Sequence, residues 1–586
     1  MSHLTDDVRQ WIGHDPDAAA RAELQRLLAR AEGPAGPDSD AALADLADRF
    51  AGPLEFGTAG LRGKVGAGPN RMNRAVVIRT AAGLLRYLID EVAPDPVIVV
   101  GYDARNGSAR FAQDTAAVAV AAGGRAILLP APLPTPLLAF AVRHLGADVG
   151  VMVTASHNPK EDNGYKVYLG GRSVPEAEQG TQIVPPYDAR IAERIAAAPA
   201  ANLVPQAKDG WEVLGEELRA AYLERLRTAL TSPDGHSAGP LRIVLTPMHG
   251  VGGETCRRAL ADAGFHDVHL VPRQAEPDPA FPTVAFPNPE EPGALDLAVD
   301  FARAVDADII IANDPDADRC AAAVPAADSP TGWRLLTGDE VGALLGDQTA
   351  RILTGGSGAG GAVGASAGTE AGAGRTLANS VVSSRLLARI ADAYGLDHAV
   401  TLTGFKWIAR APGLAFGYEE AIGYCADPGG VRDKDGISAA VRLAQLADVL
   451  RREGRTIPDR LDDFARRFGV HHTTQLSVRV EDLTLIGLAM ERLRTTPPHD
   501  LAGSPVARVH DLAEGSAELP PTDGMEFVTE ADDRVVVRPS GTEPKLKCYL
   551  EVIVPVEGDA VADARAAAAE RMDRLRADVA AAIGMG

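Results

Sequence analysis

Short apolar runs alternate with longer Ala- and Leu-rich stretches through most of this chain, and that alternation restricts the fold to sheets covered by helices. The helix AVVIRTAAGLLRYLIDEV leads into an apolar strand, VIVVGYDAR. A second Ala-rich helix, the strand AILLPAP and a third strand, ADVGVMVTAS, follow. The expected unit is a mostly parallel sheet with helices on its faces. The pattern restarts at Leu241 with RIVLTPMHGVGG and a helix and reaches the buried-type strand DADIIIAND. A third unit begins near TGDEVGALLG, is interrupted by a Gly/Ala-rich stretch, and resumes through VVSSRLLARIADAYG, TLTGFKWIA and FGYEEAIGY. It ends in a long helix to about Arg452.

The last unit differs in kind. VVVRPSGTEPKLKCYLEVIV reads as strand, polar loop and strand, and an Ala/Arg-rich helix closes the chain. The first fifty residues read as helical, with Leu43, Leu46 and Phe50 on one apolar face at i, i+3 and i+7. At roughly one domain per 100–200 residues, 586 residues suggest about four domains. The expected fold class is α/β: three mixed α/β domains with helices covering each sheet, plus a C-terminal α+β domain. The expected boundaries are a helical extension over 1–50 and domains over 51–225, 226–335, 336–455 and 456–586. The insertion at 354–374 is expected to be a surface loop without a core.

Composition narrows the functional classes. A formal net charge of −22 argues against nucleic-acid or anionic-membrane partners, but permits a local basic site for an anionic small molecule. No apolar run approaches the length of a membrane span. The opening MSHLTDDVRQWIGHD is too polar and acidic for a signal peptide. Cys256, Cys320, Cys425 and Cys548 lie far apart with no CxxC or zinc spacing, which reads as reduced thiols and a cytoplasmic location.

Three loops carry chemistry. Thr154-Ala-Ser-His-Asn-Pro-Lys160, continuing to Asn163-Gly164-Tyr165-Lys166, follows an apolar strand directly. A serine hydroxyl in a turn stiffened by Pro159 is a weak nucleophile that needs a base or a stabilising field, and His157 and Lys166 are near enough in sequence to supply either. Taken alone, Ser156 reads first as an ordinary capping residue of a polar turn. Asp314-Pro-Asp316-Ala-Asp318-Arg319 follows the strand IIIAN. Carboxylates at i, i+2 and i+4 can converge on one hard cation, and magnesium favours such oxygen ligands. An EF-hand is excluded because Arg319 and Pro325 stand where its Gly and Glu belong. Arg538-Pro-Ser540-Gly541-Thr542-Glu-Pro-Lys545 offers an arginine, two hydroxyls, a glycine and a lysine to a phosphate.

Together, nucleophile, metal loop and anion loop describe phosphoryl transfer. The chain resembles the α-D-phosphohexomutase superfamily. TASHNPKEDNGYKVY resembles its phosphoserine loop and DPDADR its metal loop. TGFKWI with FGYEEAIGY resembles its sugar-binding region, and RPSGTEPK its phosphate-binding loop, all in family order. The resemblance implies four domains around a central cleft. It implies a phosphorylated Ser156, and Mg²⁺ held by Asp314, Asp316, Asp318 and an oxygen on Ser156, with Arg319 beside the phosphate. Arg62 resembles the family's N-terminal active-site arginine. His157, Lys166 and Lys406 fall where proton-transfer groups are expected. Glu419, Glu420 and Gly404 fall in the sugar region. Arg538, Ser540, Gly541, Thr542 and Lys545 would hold the non-reacting phosphate.

The implied reaction interconverts hexose 1-phosphate and hexose 6-phosphate, with a hexose 1,6-bisphosphate as intermediate and priming activator. Its partners would be sugar phosphates, acting on a monomer or homodimer. The sugar loop departs from the Gly-Glu-x-Ser-Gly-His pattern: Ala421 takes the serine position and Tyr424 the histidine position. This variant resembles a branch with phosphopentomutase activity. Glucose phosphate is the expected substrate, mannose phosphate the second, and ribose or deoxyribose phosphates the alternative. Two other readings compete. One is an aspartyl-nucleophile phosphotransferase, whose Asp-x-Asp-x-Thr/Val pattern neither frame of the aspartate loop supplies. The other is a non-catalytic sugar-phosphate sensor.

Overall fold

The computed structural model describes residues 2–57, 60–231, 239–355, 375–480, 482, 484–516, 519–540 and 545–584. The chain divides into two compact units, Met1–Leu335 with Gly423–Gln445, and Leu336–Ile422 with Leu446–Gly586.

The first unit begins with three helices, Ser2–His14, Ala18–Ala31 and Pro37–Arg49. Their apolar faces close over Val8, Leu24 and Leu46, with Leu43 and Phe50 packed against that cluster. The Asp17 carboxylate caps the second helix by accepting from the amides of Ala19 and Ala20, two of the donors that a helix start leaves unpaired. Next comes a sheet with strand order 61–64, 162–169, 149–153, 97–102, 125–128, 212–213, and the short strand 181–182 beside 162–169. Its centre is parallel, as the strand–helix alternation predicts, but Asp162–Leu169 runs antiparallel to both neighbours. Strand 149–153 therefore reverses through residues 154–161 instead of crossing over by a helix. That reversal is the loop containing Ser156.

The second sheet repeats the device. Strands 243–246, 268–270 and 309–313 are parallel, and Ile309–Asn313 then turns back on Cys320–Pro325. Asp314 to Arg319 form the turn. Ser156 and Ala317 both adopt left-handed φ values, +51° and +54°, which residues other than glycine rarely take and which cost about 1–3 kcal/mol each. Both loops are tight turns at the ends of fully buried strands, so they are fixed by the sheets behind them.

In the second unit, parallel strands 376–380, 397–401 and 414–419 carry helices Gly338–Thr354 and Leu386–Tyr394. The remaining chain forms a six-stranded antiparallel sheet, ordered 470–479, 545–554, 534–539, 525–529, 504–511, 500–501. Helices Thr484–Thr495 and Val561–Ile583 pack on it through Met490, Leu493, Met572 and Leu575. Most of the Gly/Ala-rich insertion at 354–374 lies outside the described residues. Among the described residues, no helix is long and apolar enough to cross a membrane.

Candidate active site

The two turns of the first unit meet. Ser156, 3% exposed, donates its hydroxyl hydrogen to Asp314 Oδ2 across 2.7 Å, and the three aspartates are completely buried. The backbone N–H of Ser156 donates to Thr154 Oγ1 at 2.9 Å, and that hydroxyl donates to Asp103 at 2.7 Å. Lys166 reaches from the returning strand and donates to Asp316 Oδ2 (2.7 Å) and Asp318 Oδ2 (2.8 Å). Thr135 donates to Asp316 at 2.6 Å. Arg62 donates to Asn158 Oδ1 at 2.9 Å, and Arg319 packs against the imidazole of His157.

Electrostatics divide the groups by role. Burial, helped by repulsion from Asp316 and Asp318, raises the Asp314 carboxyl well above the usual range. Burial acts the same way on Asp318, but Lys166, Lys434 and Arg319 outweigh it and hold that carboxyl low; Asp316 is also held low, chiefly by Lys166. The Lys166 ammonium loses to burial and gains more from Asp316 and Asp318, so it stays charged. His157 is pushed well below the usual imidazole value by burial and then by Arg319 and Arg62, and is neutral near pH 7. Its Nδ1 lies 3.3 Å from Ser156 Oγ. Of these side chains, the neutral imidazole can accept a proton, and Lys166 serves as a fixed positive charge.

The donor set fits a cation. One ligand atom from each of Asp314, Asp316 and Asp318 lies within 4.8 Å of the others. The Oδ1 atoms of Asp316 and Asp318 are buried with no hydrogen-bond partner. Unpaired buried carboxylate oxygens are costly, and a bound hard ion removes that cost.

Lys434 belongs to this site and was not singled out from the sequence. The segment 423–445 returns to the first unit and lies along the metal loop: Gly436 N donates to Ala317 O, and Arg319 bridges Gly423. A Cβ at Gly436 would lie 2.1 Å from the Arg319 carbonyl, so only glycine permits this approach. Lys434 Nζ then stands 3.4 Å from Asp318 Oδ2. It repels any cation on the triad. Lys434→Met should tighten Mn²⁺ binding by about three- to tenfold, read from free Mn²⁺ by electron paramagnetic resonance.

The second unit gathers the other candidates. Glu420 is half-buried, accepts from Ser380 (3.0 Å) and Ser383 (2.9 Å), and has its carboxyl raised by burial and by Asp339. Glu419 is buried at the end of strand 414–419. Gly404, at φ +108°, precedes the short helix Phe405–Ile408, where Lys406 lies over the Trp407 ring. Arg538 lies near the end of strand 534–539 and Ser540 just after it, Lys545 opens strand 545–554, and Ser540 N donates to the Lys545 carbonyl at 2.8 Å. Gly541 and Thr542 lie outside the described residues.

Tyr549, which sequence reasoning missed, joins these groups. Its phenol is raised by burial, with Glu420 and Glu419 adding and a hydrogen bond with Arg538 opposing. The sugar-loop carboxylates and the anion-loop arginine thus share one neighbourhood. Tyr549 is one alternating residue of a sheet strand, and nothing in its local sequence marks it.

A serine hydroxyl aligned on a buried triaspartate loop is an arrangement suited to phosphoryl transfer. Four family models match in chain order. They are phosphoglucomutase/phosphomannomutase alpha/beta/alpha domain I over 53–201, domain II over 220–327, domain III over 338–468, and the C-terminal domain over 477–580. The chain belongs to the phosphoglucomutase/phosphomannomutase family and is an isomerase.

A probable phosphomannomutase of Haemophilus influenzae is 45% identical over 82% of this chain and 93% of its own length. A phosphoribomutase of Saccharomyces cerevisiae is 34% identical over 94% of this chain and 93% of its own. A solved structure of a putative phosphomannomutase from Thermus thermophilus matches with a TM-score of 0.65 and 24% identity, covering 89% of this chain and 99% of that chain. That likeness concerns the fold.

Proposed function

We propose that the protein interconverts the 1- and 6-phosphates of a hexose, glucose first and mannose second, through phosphorylated Ser156 and a hexose 1,6-bisphosphate. The observation that carries this reading is the Ser156 hydroxyl at 2.7 Å from Asp314, inside a triad in which the Oδ1 atoms of Asp316 and Asp318 accept no hydrogen bond. Asp314, Asp316, Asp318 and an oxygen on Ser156 would hold Mg²⁺, which an all-oxygen, carboxylate-rich set suits. When bound, the ion neutralises charge on the transferring phosphoryl group.

The chain's own residues supply the rest. The substrate's free hydroxyl attacks phosphorus as the bond to Ser156 Oγ breaks, and its proton passes to a base; neutral His157 is the candidate, a weak base because burial, Arg319 and Arg62 disfavour its cation. Lys166, Arg319 and Arg62 offset the negative charge beside Ser156. The bisphosphate turns, its other phosphoryl group returns to Ser156 Oγ, and the freed sugar oxygen takes a proton. Glu419, Glu420, Gly404 and Lys406 would meet the sugar, and Arg538, Ser540, Gly541, Thr542 and Lys545 the non-reacting phosphate. The four cysteines are buried free thiols, which supports a cytoplasmic location.

A pentose reading, ribose or deoxyribose 1-phosphate to 5-phosphate, has its own support. Ala421 and Tyr424 replace the serine and histidine of the common sugar loop, and the yeast relative aligned over 94% of this chain carries a pentose name. Turnover of glucose, mannose, ribose, deoxyribose and glucosamine 1-phosphates, compared by kcat/KM, decides between them. Glucose 1-phosphate is expected to lead by about tenfold or more, and a pentose phosphate ahead of it replaces the hexose reading. Priming with glucose 1,6-bisphosphate and mapping the phosphopeptide tests the nucleophile: acid-stable phosphate on Ser156 is expected, and acid-labile phosphate on Asp314 or Asp316 overturns it.

A further inference from the structure

Arg105 lies just beyond strand Val97–Tyr102 and is 4% exposed. Its guanidinium does not pair mainly with a carboxylate. Nη2 donates to the carbonyls of Ser156 and Asn158, both at 2.6 Å. Nη1 donates to the carbonyls of Pro159 (2.7 Å) and Asp162 (3.1 Å). Nε stands 3.4 Å from Asp103 Oδ2, the oxygen that accepts from Thr154. One planar cation therefore gathers three carbonyls of the turn, including that of Ser156 itself, and the first carbonyl of the returning strand.

The turn needs such a partner. The Pro159 carbonyl also accepts from Asp162 N at 3.0 Å, but those of Ser156 and Asn158 are received by Arg105, and buried backbone acceptors left unpaired are costly. Ser156 is also held at φ +51°, a conformation that its surroundings must impose. A lysine cannot substitute, because an ammonium carries three hydrogens in a compact head and lacks the flat fork that spans four acceptors.

The outer face of the guanidinium is covered by Phe281, whose ring centroid lies 5.1 Å from Arg105 Cζ. Phe281 comes from the Pro-rich loop after strand Val268–Leu270 and is itself 3% exposed with φ +45°. The second α/β segment thus clamps the arginine that shapes the nucleophile loop of the first.

We infer that Arg105, capped by Phe281, is a positioning residue that fixes the Ser156 loop in the geometry needed for phosphoryl transfer. Its hydrogen bonds go to the backbone of the loop, not to Ser156 Oγ. The inference rests on Ser156 as the phosphorylated residue. Loss of the clamp should slow transfer to the sugar and let water reach the phosphoserine, without weakening substrate binding.

The test compares wild type, Arg105→Lys, Arg105→Met and Phe281→Leu with the best substrate of the sugar panel, with Ser156→Ala as control. Arg105→Met should lower kcat by about 10–100-fold with KM within about threefold, and Arg105→Lys should fall between it and wild type. After priming with glucose 1,6-bisphosphate, intact mass should show the phosphorylated form of Arg105→Met decaying in buffer several times faster than wild type. A wild-type kcat and decay rate in Arg105→Met overturns the inference, as does a loss of kcat that only tracks a loss of folded protein in thermal melts. If Arg105→Met does not fold, Phe281→Leu, which leaves all four carbonyl bonds, decides. A several-fold fall in kcat at unchanged KM supports the clamp, and wild-type kinetics removes it. An active Ser156→Ala control would refute the nucleophile reading separately.

Discussion

Ser156→Ala should lower kcat/KM by at least about 10⁴-fold and leave the protein unable to take phosphate from glucose 1,6-bisphosphate. The size follows from covalent relay: without Oγ there is no acceptor for the phosphoryl group, and positioning plus charge stabilisation by the rest of the site has nothing to act on. The fold should survive. Asp314 Oδ2 loses the donor at 2.7 Å, which costs about 1–3 kcal/mol for a buried acceptor. Asp314 can offset part of that by taking a proton, because burial and the neighbouring aspartates already raise its carboxyl. Melting temperature and intact mass should therefore show a folded, unphosphorylated protein. Turnover near that of wild type, or phosphate appearing on an aspartate, would end the phosphoserine reading.

The serine loop and the aspartate loop were legible because each is a run of adjacent residues at the end of an apolar strand. Sequence order alone placed Ser156, Asp314, Asp316 and Asp318 in their turns, and the alternation of strands and helices indicated the α/β segments. The residues that sequence did not single out act through distant partners. Lys434 is an ordinary surface-type residue until segment 423–445 folds back on the metal loop. Arg105 sits 51 positions before the serine whose carbonyl it holds, and Tyr549 becomes informative only beside Arg538 and Glu420. The antiparallel strand 162–169 was hidden for a different reason. Nearly all its residues are buried, so the two-residue alternation that marks a one-faced strand is absent.

Glu551→Gln should destabilise the second unit by about 3–5 kcal/mol, because a buried charge cluster loses its central anion. Glu551, 1% exposed, accepts from Ser384 Oγ (2.7 Å), Arg385 N (2.9 Å) and Arg385 Nε (2.7 Å), with His471 Nδ1 at 3.2 Å and Arg534 at 3.4 Å. Arg385 and Ser384 come from the third family segment, Arg534 and Glu551 from the fourth, so one carboxylate joins two modules of the unit. Burial would raise its carboxyl, but Arg534, then His471 and Arg385, hold it well below the usual 4.5. The sign follows: a carboxyl depressed in the folded state contributes stability fully above its unfolded value and loses it as pH falls through the folded value. At pH 7, calorimetry should show the transition of this unit falling by about 6–20 °C in Glu551→Gln. Below about pH 4.5 the gap should narrow, as the wild-type carboxylate takes up the proton that the amide mimics. A gap that stayed constant from pH 7 into the acid range would mean that packing around residue 551, and not its charge, joins the two segments.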